Sequence, residues 1–147
     1  MELKLRAAVI TIALATCGAF AQTQSAKTSD VINGVWRGQM GDLPAITLVV
    51  TDEYGSLTGA IQFYFLKRAT ENAQPTAEPR PPEPIFGPRF DGKNLLFEVS
   101  HRRSHPPQSL NDPPKHYRLT LTGPNNAEIT NLDEPDSPTL RLVRSNY

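Results

Sequence analysis

The chain has 147 residues and carries 15 Lys and Arg against 15 Asp and Glu, which gives a formal net charge of zero. That length accommodates one folded domain rather than two. The balanced charge excludes the basic surface that nucleic-acid binding and polybasic membrane docking require. We therefore expect no nucleic-acid partner and no electrostatic attachment to a membrane.

Residues 1–21 have the three-part pattern of a secretory signal peptide. Two basic residues precede an uncharged apolar run, and Ala19-Phe20-Ala21 fits the small-x-small rule of a signal peptidase site. The apolar run is shorter than the roughly 20 residues that cross a bilayer, so we expect no membrane span. The pattern predicts an exported protein, periplasmic or extracellular, that is cleaved after Ala21.

A second processing signal overlaps the first. Residues 14–17, Leu-Ala-Thr-Cys, resemble a lipoprotein box. Lipidation at Cys17 is therefore the alternative to cleavage after Ala21. Residues 22–30 are small and polar, which predicts a flexible leader. We expect a single folded domain over residues 31–147.

From residue 31 the chain consists of short β-prone stretches separated by turn-forming Gly, Pro, Asn and Asp. In the stretch 57–66, for example, Ile61, Phe63 and Phe65 share one face at a period of two. About eight such stretches and no long amphipathic helix predict an all-β, antiparallel up-and-down barrel, with a β-sandwich as the alternative. The predicted strands cover 31–40, 46–51, 57–66, 84–90, 95–100, 115–122, 127–132 and 138–144.

Two proline-rich stretches, 67–84 and 101–114, interrupt this series. Proline removes a ladder donor, so neither stretch can hold a central strand. Residues 67–72 can form a single helical turn, and we expect the rest of both stretches to be extended loop. Loops of this length in a compact domain are either functional or disordered.

The stretch 34–38, Gly-Val-Trp-Arg-Gly, contains the only tryptophan and opens the series of strands. A Gly-x-Trp on the first strand of an all-β domain resembles the lipocalin-like (calycin) barrels. The order of motifs is also similar to small exported bacterial domains of unknown function. These have a Leu-x-Gly hairpin, here at 57–59, a Phe-Asp-Gly hairpin, here at 90–92, and a closing Leu-x-Leu-x-Arg strand, here at 140–144.

The resemblance implies a lipocalin-like barrel with one plugged end. In such barrels the tryptophan of the first strand packs against a basic residue of the last strand. Trp36 would therefore plug this barrel, with Arg141 or Arg144 as its cation–π partner. A ligand would then have to enter at the opposite end, which bears the two proline-rich loops.

Several apolar residues are candidates for the lining of a ligand site, and we single out Phe63, Phe65, Phe97 and Leu119. An eight-stranded barrel either fills its interior with side chains or holds one small ligand, so the same residues could simply form the core. The sequence favours a binding module for an apolar small molecule. The alternative is an interaction domain that contacts another cell-envelope protein through its proline-rich loops.

The sequence predicts no catalytic residue, no metal site and no cofactor. His101, His105 and His116 could join a carboxylate such as Glu98 at a metal, but they do not have the spacing of a metal-ligand motif. Serines precede two of these histidines, yet no Gly-x-Ser-x-Gly motif is present. We therefore do not expect an enzyme.

Overall fold

The computed structural model of the protein describes residues 30–100 and 113–145. Within these ranges the chain forms nine strands and no helix. The predicted signal peptide, Cys17, almost all of the predicted leader and residues 101–112 of the second proline-rich loop lie outside the described residues. In chain order the strands are β1 (Gly34–Met40), β2 (Leu43–Glu53), β3 (Ser56–Lys67), β4 (Thr76–Pro79), β5 (Glu83–Phe90), β6 (Asn94–Val99), β7 (Lys115–Gly123), β8 (Asn126–Asn131) and β9 (Leu140–Ser145).

Eight of the strands form a closed antiparallel barrel. They follow one another in the order β2-β1-β9-β8-β7-β6-β5-β3, and the pairing of β2 with β3 closes the ring. That closing ladder runs from Ile46 opposite Phe63 to Glu53 opposite Ser56. Because a sandwich would leave open edges where β2 meets β3, the predicted all-β barrel is confirmed and the sandwich alternative is excluded.

The prediction of a continuous loop over 67–84 is wrong, because this stretch contains β4, the strand outside the ring, and the start of β5. β3 pairs with β5 only at Ala60 and Ile61, and its last residues, Tyr64–Lys67, pair instead with β4. The prolines exclude a central strand, but β4 continues the ladder outside the closed ring, where Pro79 at its end is tolerated. Tyr64–Lys67 and β4 together form what we call the β3–β4 ribbon.

The connection within this ribbon is a turn and not the helical turn expected over 67–72. The backbone N–H of Ala73 donates to the carbonyl of Thr70 at 3.0 Å. After β4, the N–H of Arg80 donates to the carbonyl of Phe63 at 2.8 Å. The chain between β4 and β5 therefore stays attached to β3 although three prolines, at 79, 81 and 82, surround that bond.

The barrel interior is filled by side chains at the inward-facing positions, which alternate with outward-facing positions along each strand. On β6, Leu95, Phe97 and Val99 are buried, whereas Leu96 and Glu98 are exposed. Burying one such apolar side chain stabilises the fold by about 1.5–3 kcal/mol. The apolar core comprises Ile32, Trp36, Ile46, Leu48, Val50, Ile61, Ile85, Leu95, Phe97, Val99, Tyr117, Leu119, Ala127, Ile129 and Leu142.

The hairpin turns have the chemistry that their sequences indicate. Tyr54 and Gly55 form the two-residue turn between β2 and β3, with φ values of 56° and 87°. Positive φ at both positions is the type I′ geometry that matches the twist of antiparallel strands. Between β5 and β6, Asp91 accepts hydrogen bonds from the side chain of Asn94 and from the backbone N–H groups of Asn94 and Lys93, which lower the pKa of Asp91 to about 2.

Gly59 lies where β2 and β3 approach too closely for a side chain. A Cβ at this position would come 2.1 Å from the carbonyl oxygen of Val49 and 3.0 Å from Cδ1 of Ile85. We expect Gly59→Ala to lower the free energy of unfolding by about 1–3 kcal/mol, because the backbone of β2 must move away from the added methyl group. Urea denaturation measures this value.

Gly123→Ala is the matched control, since the nearest atom to its added Cβ is Nδ2 of Asn126 at 3.5 Å. We expect this variant to stay within about 0.5 kcal/mol of the wild type. Equal losses for the two variants would contradict the close approach at Gly59.

Asp91→Asn should remove part of the acid sensitivity of the barrel. The pKa of Asp91 is about 2 in the folded chain against an ordinary value of 3.8. The ionised carboxylate therefore stabilises the fold above about pH 4, and this contribution is lost as the pH falls toward 2. We expect the difference in unfolding free energy between wild type and variant to shrink over that window. Urea titrations at fixed pH test this, and a difference that does not change with pH would refute it.

Candidate ligand-binding site at the loop-bearing end

Strand direction separates the turns of the barrel into two ends. The sealed end comprises residues 30–34 and the short turns at 54–55, 91–93 and 124–125. The loop-bearing end comprises the turn at 41–42, the β3–β4 ribbon, the end of β6, the start of β7 and the segment 132–139. The connection from β3 to β5 and the segment 132–139, the two longest connections that the structure describes in full, therefore lie at this end.

Trp36 and Arg144 close the sealed end. Trp36 is fully buried, and its Nε1 donates to the carbonyl of Ile32 at 2.9 Å. Arg144 is the register partner of Trp36 on β9, and its Cζ lies 5.7 Å from the ring centroid, within cation–π range. Its Nη2 also donates to the carbonyls of Asp30 and Asn33. The chain that enters β1 is thereby attached to the last strand of the barrel.

Arg141 has a different environment. Its side chain is 90 % exposed, and its Nε lies 3.8 Å from a carboxylate oxygen of Glu128. Leu140 and Leu142 face inward on β9, so Arg144 shares their face and Arg141 lies on the opposite, outer face. Of the two arginines considered from the sequence, the structure brings only Arg144 to Trp36.

The four residues singled out for a ligand site are dispersed. Leu119 is fully buried, and Phe97 is stacked on Tyr117 with ring centroids 5.7 Å apart, so both belong to the packed core. Phe65 is 52 % exposed on the β3–β4 ribbon, where the guanidinium of Arg80 lies 4.5 Å from its ring centroid. Phe63, whose ring centroid lies 5.8 Å from that of Tyr117, lines a cavity.

That cavity, which we call the mouth cavity, has a volume of about 250 Å³ and lies at the loop-bearing end. Its walls are mainly apolar, and three of its lining residues, Ile46, Tyr117 and Ile129, also belong to the core. Sequence reasoning missed most of its residues, because they lie at strand ends and in a loop and carry no shared motif. The lining consists of Met40, Ala45, Ile46, Phe63, Tyr64, Tyr117, Ile129, Asn131, Ser137, Pro138 and Leu140.

Tyr117, which lines the mouth cavity, has a raised pKa. Burial and the negative charges of Glu134, Glu83 and Asp133 raise the pKa of Tyr117 to about 12. Glu83 is itself only 8 % exposed, and it is the one buried charged residue among those the structure describes. The phenol is therefore neutral at physiological pH and lies in a negative electrostatic potential.

The segment 132–139 is held against β7 by two sets of polar contacts. Asp133 accepts the backbone N–H of His116 at 2.6 Å and lies 3.2 Å from its Nδ1, and these contacts lower the pKa of Asp133. Hydrogen bonds from Lys115 and Ser137, each 3.1 Å long, lower the pKa of Glu134. Both contacts position the part of the segment that forms one wall of the mouth cavity.

His116 thus has a structural role in the outer wall. Its Nε2 lies 3.7 Å from Glu98, on the side opposite Asp133. Among residues 30–100 and 113–145, no group of three or more His, Cys, Asp or Glu side chains could hold a metal ion. His101 and His105 lie outside the described residues.

No protein-family model, no curated protein and no solved structure matches the chain. In the part of the chain that the structure describes, no helix is long and apolar enough to cross a membrane. The fold and the site define a small antiparallel β-barrel with one sealed end and an apolar cavity at the other. The resemblance to lipocalin-like barrels stays a prediction.

Arg144→Met should destabilise the barrel because it removes the guanidinium from Trp36 and leaves two carbonyls without their donor. We expect a loss of about 1–3 kcal/mol in the free energy of unfolding. Arg141→Met on the same strand is the control, and its exposed side chain predicts a change within about 0.5 kcal/mol. Urea denaturation followed by the fluorescence of Trp36 measures both, and similar losses would argue against the Arg144 contact.

Proposed function

We propose that the protein is an exported binding module that holds an apolar small molecule in the mouth cavity. The observation that carries the proposal is this cavity of about 250 Å³, with mainly apolar walls, at the end of the barrel that bears the long connections. Ligand sites are typically concave and apolar with a few polar groups that orient the ligand. Asn131, Ser137 and Tyr117 supply such groups here.

The asymmetry of the barrel supports the proposal. Leu48, Ile61 and Leu95 are fully buried and fill the interior, while Trp36 and Arg144 close the sealed end. A ligand would therefore occupy the mouth rather than the centre of the barrel. The volume suits a compact molecule such as a bicyclic aromatic and is too small for a long acyl chain.

The proposal that the protein is exported rests on the sequence alone. The signal pattern of residues 1–21 supports a location in the periplasm or outside the cell, with attachment through Cys17 as the alternative. An exported barrel with an apolar cavity would capture its ligand in the cell envelope or beyond it.

A second candidate function is an interaction with another envelope protein. The observation that favours it is the β3–β4 ribbon, where Phe65 is 52 % and Leu66 42 % exposed. Exposed apolar side chains on a projecting proline-rich element are common at protein contacts. Phe65 and Leu66 do not line the mouth cavity, so this second function does not depend on small-molecule binding there.

The neutral fluorescent probe N-phenyl-1-naphthylamine tests the small-molecule function. We expect saturable binding with increased probe fluorescence, and thermal stabilisation of the protein in proportion to occupancy. Ser137→Trp fills the mouth cavity from its loop wall, and it should weaken probe binding tenfold or more.

Ser56→Trp is the matched control, because Ser56 is exposed at the sealed end. This variant should bind the probe as the wild type does. A lack of saturable binding to the wild type, or equal binding by the two variants, would refute a ligand site at the mouth.

A further inference from the structure

We propose that the mouth cavity selects a positively charged aromatic molecule, an aromatic amine, over neutral and anionic molecules of the same shape. The inference rests on the proposed function and adds the charge class of the ligand to it. It is carried by the position of the cavity beside an acidic segment and by the aromatic side chains in its walls.

The walls suit an aromatic group with an ammonium attached. Phe63, Tyr64 and Tyr117 line the mouth cavity together with aliphatic side chains such as Ile46 and Leu140. An aromatic ring would be buried against these side chains. Ring faces attract a cation within about 6 Å through their quadrupoles, and this attraction is strongest where water is excluded.

The acidic segment and the cavity wall are the same piece of chain. Ser137 and Pro138 line the mouth cavity, and the residues directly before them form a concave surface together with both. That surface contains the carboxylates of Asp133, Glu134 and Asp136. A ligand group that projects from the mouth on this side therefore meets carboxylates.

The neighbouring cations do not cancel this charge. Lys115 pairs with Glu134 at 3.1 Å and is the single ammonium against three carboxylates of the segment. His116 lies between Asp133 and Glu98, with its Nδ1 3.2 Å from Asp133 and its Nε2 3.7 Å from Glu98. Among the residues that the structure describes, the carboxylates of this segment therefore outnumber the cations beside them.

Two cations near the β3–β4 ribbon have partners away from the cavity. Lys67 forms an ion pair with Glu78, and the guanidinium of Arg80 lies over the ring of Phe65, which does not line the cavity. The buried Glu83 of β5 contributes to the raised pKa of Tyr117, which lines the cavity.

Three naphthalene derivatives of similar shape test the inference. They are the cation 1-naphthylmethylamine, the neutral 1-naphthalenemethanol and the anion 1-naphthaleneacetate, which is called the acetate below. Each competes with N-phenyl-1-naphthylamine for the wild-type protein at pH 7.5 and low salt. We expect affinity to fall in the order amine, alcohol, acetate, with at least tenfold between the amine and the acetate. Because surface charges are screened by ions, that ratio should shrink in 0.5 M salt.

A double variant, Glu134→Gln with Asp136→Asn, identifies the source of the preference. Each carboxylate removed should weaken amine binding about twofold and strengthen acetate binding about twofold, the size of one Coulomb interaction in a water-like dielectric. The control is Glu53→Gln with Glu128→Gln, which neutralises two carboxylates near the sealed end and on the outer wall. It should leave the ratio unchanged.

The outcomes separate the inference from the function on which it rests. If the alcohol binds but the amine has no advantage over the acetate, the charge selectivity is overturned while the ligand site stands. An equal loss of preference in the control variant would also overturn it, because net charge and not the segment 133–136 would then be responsible. If none of the three compounds displaces the probe and the probe itself does not bind, the proposed function fails.

Discussion

The pairing of β2 with β3 is the constraint on which the rest of the structure depends. These strands occupy the two ends of the order β2-β1-β9-β8-β7-β6-β5-β3, and their ladder converts an open sheet into a ring. Closure satisfies the edge hydrogen bonds and commits every inward position to one shared core. It also requires the tight approach at Gly59, where the backbone of β2 occupies the space that a side chain would need.

Once the ring is closed, the packing of side chains at its two ends decides where a ligand can bind. Trp36 fills the sealed end, and Arg144 holds the entering chain to β9 through the carbonyls of Asp30 and Asn33. The interior between the ends is filled with aliphatic and aromatic side chains, among them the stacked pair Phe97 and Tyr117. The mouth cavity lies toward the opposite end, where strands end and connections begin.

The segment 132–139 gives this cavity both a wall and a charge. Asp133 and Glu134 tie the segment to His116 and Lys115 of β7, and their contacts fix the position of Ser137 and Pro138. The same carboxylates that order the segment leave negative charge at the rim. Structural and binding roles therefore reside in one short stretch, and the proposed selectivity for an aromatic amine follows from that overlap.

The sequence by itself determined the strands, their inner and outer faces and the turns between them. A period of two distinguishes inside from outside on β6, and Tyr54-Gly55 and Asp91 encode hairpins locally, so no distant contact is needed to predict them. The prediction of a loop over 67–84 missed β4, because prolines exclude a central strand but not a short strand outside the closed ring. The same alternation could have separated Arg144 from Arg141, since only Arg144 shares a face with Leu142.

Only the tertiary structure decided the site. Phe63, Phe65, Phe97 and Leu119 are all apolar and β-prone in sequence, yet Phe97 and Leu119 are buried in the core, Phe63 lines the mouth cavity and Phe65 is exposed. The mouth cavity joins the end of β1 and the start of β2 to the ends of β3 and β8 and to the loop before β9. These pieces are distant along the chain, and ring closure is the physical event that brings them together.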